Sequence, residues 1–257
     1  MIEAIRKRIP RGLRQRLKNV NLSYLIAPLY GYLMLPRFDG TALIVGEGTK
    51  FFVHPDISAI DCLREIFRNN VYEKYWSVKD GEVIFDIGAN VGIFTVKVGK
   101  KLNKGLIVAI EPSPQNIELL KKNLKLHNLS SVVVVPKAVG NFRGKSKFLV
   151  TPVSGQHRFY GKTVEKSEKI NKIIEVDTIL LDDIVKELKL IVIDFLKIDV
   201  EGAELDVLKG AEESLKFTKN IAMELHYEGE REEVRRFLEE RGFTVKIVGS
   251  ILYASKQ

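Results

Sequence analysis

The sequence predicts an α/β protein with a mostly parallel central sheet, a C-terminal antiparallel hairpin and an N-terminal helical and hairpin appendage. The first observation is that strand-length apolar runs alternate with helix-length segments from residue 82 onward, as in parallel sheets covered on both faces. The second is the turn Gly249-Ser250 between Thr244–Val248 and Ile251–Ala254, which has the pattern of a hairpin. The third is size, because 257 residues that are 45% apolar suffice for one large domain with an appendage.

The appendage is predicted to occupy residues 1–80, ahead of a main domain at 81–257. Residues 20–37 are apolar and aromatic, and Thr41–Val53 has the pattern of a hairpin around Gly46-Glu47-Gly48. Asp56–Trp76 is predicted as a helix, because Asp56 can cap it and apolar residues follow at helical spacing.

The main domain is predicted to alternate between strands and helices. The predicted strands are 82–87, 106–111, 132–136, 193–199 and 220–226. The predicted helices are 91–102, 114–128, 179–188, 203–216 and 229–241. Lys145–Val150 and Ile173–Val176 depart from this order, as two strands that bracket a polar loop containing His157. Ligands of open α/β sheets bind beyond the carboxyl ends of the strands, so the residues that end these strands are the functional candidates.

Composition excludes several classes of protein. The single cysteine, Cys62, excludes an internal disulfide framework and a cysteine-rich metal cluster, and fits a reducing compartment. No run of about 18 apolar residues is present to span a membrane, and basic residues interrupt any hydrophobic signal region near the N-terminus. We therefore expect a cytoplasmic protein, with a peripheral position at the membrane as the alternative.

The net charge of +8 is concentrated at the N-terminus, where the first eighteen residues contain seven basic groups and one acid. Apolar residues are interleaved with the bases, although Pro10 interrupts a helix. Three interpretations remain open for this basic arm: a solvated surface, contact of residues 1–19 with an anionic membrane, or a nucleic-acid arm. Of the two binding roles, the membrane is favoured and nucleic acid is unlikely.

The most informative motif runs from Val83 to Thr95, where an apolar strand stops at Asp86 and a turn follows with Gly88, Asn90 and Gly92. Glycine lets the backbone approach a ligand closely. The spacing D-x-G-x-N-x-G differs from the dinucleotide pattern G-x-G-x-x-G, and a carboxylate at the strand end would repel a pyrophosphate. The motif therefore indicates a ligand with a cationic amino-acid portion and no phosphate, which points to S-adenosyl-L-methionine.

A second strand, Gly105–Glu111, also ends in an acid and is followed by Pro112. An acid at the tip of the neighbouring strand is where nucleoside-binding α/β folds hold a ribose diol. We expect Asp86 and the amides of Gly88 to Gly92 to hold the methionine portion, and Glu111 to hold the ribose. The alternative is that both acids only end strands at the solvent edge.

Candidates for contact with the molecule that accepts the cofactor's methyl group lie at the ends of the strands predicted over 193–199 and 220–226. Asp199 and Glu201 come after the fourth parallel strand and are the leading candidates for acceptor contact. Lys197 would share the strand face of Asp199, where a structural ion pair is the alternative to catalysis. His226 ends the next strand and is a candidate general base with a pKa near the operating pH, or else a satisfied strand-end histidine.

A divalent metal is possible but not expected. Asp199, Glu201 and Glu224 are weak candidate ligands, with His226 nearby, and some methyl-transferring enzymes use magnesium to lower the pKa of the acceptor hydroxyl. No ligand spacing in the sequence demands a metal.

Together these motifs resemble the FkbM family of S-adenosylmethionine-dependent methyltransferases over roughly residues 70 to 227. The segments that carry the resemblance are Tyr72-Glu73, D-I-G-A-N-V-G-I-F-T at 86–95, A-I-E-P at 109–112, Asn123, Ala138, D-F-L-K-I-D-V-E-G-A-E at 194–204, L-K-G-A at 208–211 and M-E-L-H at 223–226. The resemblance implies a Rossmann-like methyltransferase sheet and O-methylation of a hydroxyl on a sugar, glycan or small metabolite. It also implies cofactor contacts for Glu73 and, beside the adenine, for Ala138.

Two rival functions remain. An RNA methyltransferase could use the basic surface, although base methylation usually needs an N/D-P-P-Y/F motif where this chain has D-V-E-G. A non-catalytic nucleotide-binding scaffold is the other, because fold alone never proves function. Nothing in the sequence identifies the acceptor.

Overall fold

The N-terminal part of the protein is a small antiparallel sheet. The computed structural model describes residue 24 and residues 27–151, 157–159 and 172–256, so the basic arm at 1–19 lies outside the described residues. The sheet contains β1 (Leu33–Pro36), β2 (Ala42–Gly46) and β3 (Thr49–Val53), in that order. The predicted hairpin is confirmed as β2–β3, while β1 was missed because its residues are all apolar and show no alternation of apolar and polar side chains.

The helix predicted over Asp56–Trp76 is much shorter in the structure. It spans α1 (Ile57–Leu63), capped by the Asp56 carboxylate, which accepts from the Ser58 amide at 3.0 Å, and continues as a π-helical turn at Arg64–Arg68. The prediction beyond residue 68 is wrong. The Lys97 ammonium donates to the Ile66 carbonyl at 2.6 Å and to Asn70 Oδ1 at 2.5 Å, and Asn70 takes a positive φ of 51°. The chain leaves the helix there because Lys97 occupies a carbonyl that a continuing helix would use.

Residues 69–78, which we call the strap, lie across one face of the main sheet. The Trp76 ring stacks on Phe195 with centroids 3.8 Å apart, and the Tyr253 hydroxyl donates to the Val71 carbonyl at 2.5 Å. The strap thus connects the N-terminal part to the centre of the main sheet.

In the described ranges the main sheet has seven strands, and its elements show the predicted alternation. In chain order, its first half is β4 (Val83–Ile87), α2 (Ile93–Gly99), β5 (Leu106–Ile110), α3 (Pro114–Leu126) and β6 (Val133–Val135). A second, four-stranded sheet follows, made of β7 (Ala138–Val139), β8 (Gly144–Val150), β9 (Arg158–Phe159) and β10 (Lys172–Ile179). The chain then returns with α4 (Leu181–Glu187), β11 (Ile193–Ile198), α5 (Glu204–Lys209), β12 (Thr218–Glu224), α6 (Arg231–Glu239), β13 (Thr244–Val248) and β14 (Ile251–Ser255).

Strand order places the switch point between β4 and β11. The order across the main sheet is β13-β14-β12-β11-β4-β5-β6. The five strands from β12 to β6 are parallel, and β14 pairs antiparallel with both β12 and β13. The predicted mostly parallel sheet with a C-terminal antiparallel hairpin is therefore confirmed. Ligands of such sheets bind beyond the carboxyl ends of the strands at the switch point.

Helix ends differ from the sequence prediction for local reasons. The helix predicted over 203–216 ends at Lys209 with Gly210 as its C-cap, and a Cβ at Gly210 would lie 2.0 Å from the Gly140 carbonyl oxygen. A 3₁₀ turn at Ser214–Phe217 follows. The predicted strand Ile173–Val176 extends through Ile179, so α4 begins only at Leu181.

Two hydrophobic clusters lie on opposite faces of the main sheet. One contains Phe51 and Ile60 from the N-terminal part together with Ile84 and Phe195 from the main sheet, so residues from both sides of the predicted boundary at 80/81 pack in one cluster. The other is formed by Leu196 and its neighbours under α4 to α6. Within the described ranges, none of the helices combines the length and hydropathy needed to cross a bilayer.

Candidate active site

A pocket opens at the carboxyl ends of β4, β5 and β11. Its volume is about 570 Å³, including space open to solvent. The predicted site residues that line it are Gly88, Asn90, Glu111, Pro112, Ala138, Asp199 and Glu201. The sequence did not single out Asn116 or Lys137, which also line the pocket. The structure therefore brings most of the predicted site into one cavity.

The glycine turn forms one wall of the pocket. Gly88, Asn90 and Gly92 have φ angles of 76°, 51° and 86°, and the amides of Gly88 and Ala89 both donate to the Ile110 carbonyl at 3.0 Å. These three positive φ angles favour glycine or asparagine, because most other side chains are strained at positive φ. Among the described residues, the buried side-chain oxygen of Asn90 has no hydrogen-bond partner, so it can accept from an amine or hydroxyl of a ligand.

Asp86 and Lys197 form an ion pair beneath this turn. Asp86 is fully buried and accepts from the Thr95 hydroxyl at 2.5 Å, and its other oxygen lies 3.1 Å from the Lys197 ammonium. Lys197 also donates to the Gly88 carbonyl at 2.8 Å and lies 3.4 Å from Asp199 Oδ2. Burial opposes the charge of Lys197, but Asp86 and Asp199 outweigh it and raise its pKa. The ion pair foreseen between Lys197 and Asp199 is therefore present, whereas the closer pair with Asp86 was not foreseen. Asp86 acts on the turn through Lys197.

Glu111 is buried at the tip of β5 with its carboxylate facing the pocket. One oxygen accepts from the Asn90 amide at 2.9 Å, and the other accepts from the Ser113 amide at 2.9 Å and from Asn116 at 3.2 Å. Burial raises the pKa of Glu111 to about 7, even though these donors and Lys197 favour the ionised form. A carboxylate with four acceptor positions still has room for a ligand hydroxyl.

Glu73 lies outside the pocket, beside Lys97 and Lys101. Its carboxylate is paired with Lys97 and with the Lys101 ammonium, the latter at 2.6 Å. It is not among the residues that line the pocket. The structure therefore does not bring Glu73 to the cavity with the other predicted cofactor residues; it ties the strap to α2.

On the acceptor side, four carboxylates surround one imidazole. We call Asp199, Glu201, Glu204 and Glu224 the acidic cluster. His226 Nδ1 lies 2.7 Å from Glu204 Oε1, and Nε2 lies 3.5 Å from Glu201 and 3.8 Å from Asp199. Burial opposes the charge, but the hydrogen bonds to Glu201 and Glu204 raise the pKa of His226 to about 12. The expectation of a histidine with a pKa near the operating pH is wrong, because the chain surrounds His226 with carboxylates that hold its proton.

The pKa values of Asp199, Glu201 and Glu224 in the acidic cluster are shifted in different directions. Burial alone would raise the pKa of Asp199, but Lys197 and His226 outweigh burial and lower it. Burial and the charge of Asp199 raise the pKa of Glu224 to about 7, and burial also raises the pKa of Glu201. Neighbouring carboxyl groups therefore have different pKa values because their surroundings differ.

The weak metal candidates are only partly brought together. Asp199, Glu224 and His226 have potential ligand atoms within 4.8 Å of one another, and Glu201 is not in this set. Hydrogen bonds already hold these groups, through Tyr72 to both carboxylates and through Glu204 to His226. The arrangement needs no metal to hold it together, and the metal expectation stays untested.

One further residue was not foreseen in the site. Tyr72 falls in the stretch predicted as helix, yet its hydroxyl reaches Asp199 and Glu224; the only available signal was its place in the Tyr72-Glu73 match. His157, from the polar loop after β8, lies against Phe148 at the pocket wall and is 9% exposed, and burial lowers its pKa to about 4.

Residues 86–245 match the family model described as the methyltransferase FkbM domain. The chain belongs to this family. It is a family of S-adenosylmethionine-dependent methyltransferases, which agrees with the resemblance drawn from the sequence and with the pocket at the switch point.

Individual relatives point to the same family. Methyltransferase 1 of Beauveria bassiana is 30% identical over 72% of this chain and 80% of its own length. The 31-O-demethyl-FK506 methyltransferase FkbM of Streptomyces tacrolimicus is 28% identical over 76% of this chain and 85% of its own length. The crystal structure of methyltransferase FkbM from Methylobacillus flagellatus superimposes with a TM-score of 0.52 at 17% identity, over 76% of this chain and 51% of that chain. That similarity shows the Rossmann-like fold.

Proposed function

We propose that this FkbM-family protein transfers the methyl group of S-adenosyl-L-methionine to a hydroxyl oxygen of a sugar, glycan or small metabolite. The observation that carries the proposal is the acidic cluster beside the pocket. Its four carboxylates would repel an acceptor carboxylate or phosphate, whereas a neutral hydroxyl can donate to them. The named activity of the Streptomyces relative, on an O-demethyl compound, is consistent with an oxygen acceptor.

The cofactor fits the chemistry of the pocket. The turn at Gly88 and Asn90 offers backbone and an unpartnered side-chain oxygen to the methionine portion. Glu111 would accept from the ribose hydroxyls, and Pro112 and Ala138 would border the adenine. When bound, the sulfonium supplies the electrophilic methyl group, so the protein has only to position the acceptor and remove its proton.

The acceptor would lie against Asp199 and Glu201, which both line the pocket. Asp199 remains ionised because Lys197 and His226 lower its pKa, so it can orient the hydroxyl and take its proton. His226, with its pKa raised to about 12, keeps Asp199 and Glu201 in place as a cation rather than acting as a base. Asp86 and Lys197 support the turn from below. Contact of residues 1–19 with an anionic membrane remains a separate, untested proposal.

Calorimetric titration with S-adenosylhomocysteine, beside NAD, tests the cofactor half of this proposal. Glu111→Ala should weaken S-adenosylhomocysteine binding by at least about tenfold, the loss of one charge-assisted hydrogen bond. Glu118→Ala is the matched control, because Glu118 lies on the solvent side of α3 with 69% of its side chain exposed. Binding of NAD instead, or equal losses in both variants, would contradict the assignment.

The acceptor half is tested with methyl-labelled cofactor and four panels: neutral saccharides and polyols, uronic acids, amines, and RNA. We expect label transfer to neutral hydroxyl compounds only. Transfer to amines or to uronic carboxylates would overturn the hydroxyl assignment, and transfer to RNA would overturn the assignment of a sugar, glycan or small-metabolite acceptor; either result would leave the methyltransferase assignment intact.

A further inference from the structure

His54 connects the N-terminal part of the protein to the pocket through Asn116. His54 follows directly after β3, and its Nε2 lies 3.1 Å from Asn116 Oδ1. On the other side of the same amide, Asn116 Nδ2 donates to Glu111 Oε1 at 3.2 Å. Asn116 and Glu111 are 2% and 4% exposed. A continuous chain of hydrogen bonds therefore runs from His54 to the buried acid at the tip of β5.

The direction of these hydrogen bonds follows from what each atom can donate or accept. An ionised carboxylate only accepts, so the Nδ2 group of Asn116 faces Glu111 and its Oδ1 atom faces His54. Because an amide oxygen also only accepts, His54 must present a protonated Nε2. Without a donor at position 54, the Asn116 amide could turn over, and its oxygen would then face the Glu111 carboxylate.

The Asn116 amide also decides which oxygen of Glu111 is available to a ligand. Oε1 accepts from Asn116 and from the Ser113 amide, so both of its lone pairs are used. In the described part of the chain, Oε2 accepts from the Asn90 amide alone, which leaves it one lone pair for a ligand hydroxyl. Three donors thus hold Glu111 in one orientation, and a carboxylate oriented in advance binds a hydroxyl without reorganisation.

A second asparagine on α3 holds β3 in the position that this chain of hydrogen bonds needs. Asn123 lies about two helical turns after Asn116 and is fully buried. Its Oδ1 accepts from the Phe52 amide at 2.7 Å, and its Nδ2 donates to the carbonyls of Phe52 and Val91, both at 2.8 Å. Val91 lies within the glycine turn. Asn123 therefore ties the strand that carries His54 both to α3 and to the wall of the pocket.

We propose that His54 is a positioning residue for the cofactor site: it fixes the Asn116 amide, and through it the Glu111 carboxylate, in the orientation that accepts a ribose hydroxyl. The inference rests on the proposed function for the identity of the ligand. His54 is not among the residues that line the pocket, so it acts through Asn116. The N-terminal part, which the sequence predicts as an appendage, thereby takes part in cofactor binding.

Calorimetric titration of the full chain with S-adenosylhomocysteine tests this role. His54→Ala should weaken binding about threefold to tenfold, the loss of one ordinary hydrogen bond. His54→Gln should bind within about twofold of the wild-type protein, because the amide nitrogen of glutamine can donate from the place of Nε2. In a Glu111→Ala background, His54→Ala should weaken binding no further, because its effect passes through Glu111.

His127→Ala is the matched control. His127, at the end of α3, also joins α3 to β3, since its Nε2 donates to the Lys50 carbonyl at 2.8 Å. This hydrogen bond does not lead to Glu111, so the variant should lose stability in urea denaturation and keep its affinity for S-adenosylhomocysteine. Equal losses of affinity in His54→Ala and His127→Ala, or no rescue by His54→Gln, would overturn the inference, because His54 would then only hold two elements together.

NMR of ¹⁵N-labelled protein examines the same hydrogen bonds without a ligand. We expect a protonated Nε2 in His54, and an Asn116 side-chain amide signal that shifts in His54→Ala and in Glu111→Ala but not in His127→Ala. An unprotonated Nε2, or an Asn116 signal that His54→Ala leaves unchanged, would reject the positioning role. If these signals behave as expected but S-adenosylhomocysteine does not bind to the wild-type protein, the arrangement of His54, Asn116 and Glu111 stands and the proposed function fails.

Discussion

Gly88 lies directly against the backbone of Asp199. A Cβ added at Gly88 would stand 1.8 Å from the Asp199 carbonyl oxygen, and the Asp199 amide donates to the Ile87 carbonyl at 3.1 Å. The turn after β4 and the loop after β11 are therefore in van der Waals contact at the switch point. This contact joins the two walls of the pocket that carry Gly88 and Asp199.

Gly88→Ala should destabilise the protein and weaken S-adenosylhomocysteine binding together. The variant meets both backbone strain at φ 76° and a clash with backbone atoms, together on the order of 2–5 kcal/mol in the free energy of unfolding. Urea denaturation measures the loss. Gly48→Ala is the control, because its φ of 71° is similar but nothing lies within 4 Å of the added Cβ. Equal losses for the two variants would show that the contact with Asp199 is unimportant.

Cofactor binding should depend on pH through Glu111. The pKa of this acid is raised to about 7, and only the ionised form offers all its oxygen lone pairs to ribose hydroxyls. As the pH falls below 7, protonation competes with binding, so the dissociation constant for S-adenosylhomocysteine should rise towards about tenfold per pH unit. Calorimetry from pH 5 to 8 checks this. Glu111→Gln should bind weakly at every pH; a variant that keeps the slope would assign the titration to another group.

Glu73→Gln distinguishes a structural role from cofactor binding. The variant leaves the Lys97 ammonium, 6% exposed, without its main counter-charge, which should cost about 3 kcal/mol of unfolding free energy. Binding of S-adenosylhomocysteine should stay within about twofold, because Glu73 does not line the pocket. Glu239→Gln, at an exposed pair with Arg235, should cost less than about 1 kcal/mol. Lost affinity with unchanged stability would instead restore Glu73 to the cofactor site.

The parts of the site that could be predicted from the sequence are those that depend on residues close together in the chain. The strand, the turn through Gly88 to Gly92 and the acid at the end of β5 form a local pattern, because strand period, turn conformation and strand ends each depend on a few neighbours. The pocket lining and the hairpin that pairs with β12 follow from this pattern and from general rules of α/β sheets.

The features of the site that the sequence did not predict depend on contacts between residues far apart in the chain. Tyr72 lies 127 residues from Asp199 and 152 from Glu224, and its local sequence favours a helix that Lys97 ends. The Lys197–Asp86 pair follows from the register of β11 beside β4, which no periodicity reveals. Likewise, the charge of His226 is set by Glu204 and Glu201, whose proximity depends on the loop after β11.

The pairing of β4 with β11 also has a consequence for synthesis of the chain on the ribosome. Lys197 of β11 pairs with Asp86 of β4, and about 110 residues separate them in the chain. Because the ribosome adds roughly 5–20 residues per second, β11 is synthesised on the order of 5–20 s after β4. During that interval β5 can pair on one side, while the other edge and the uncompensated Asp86 carboxylate stay open to water. A charged side chain on the unpaired edge of β4 disfavours association with other nascent chains. Once β11 has paired with β4, Lys197 neutralises the Asp86 carboxylate.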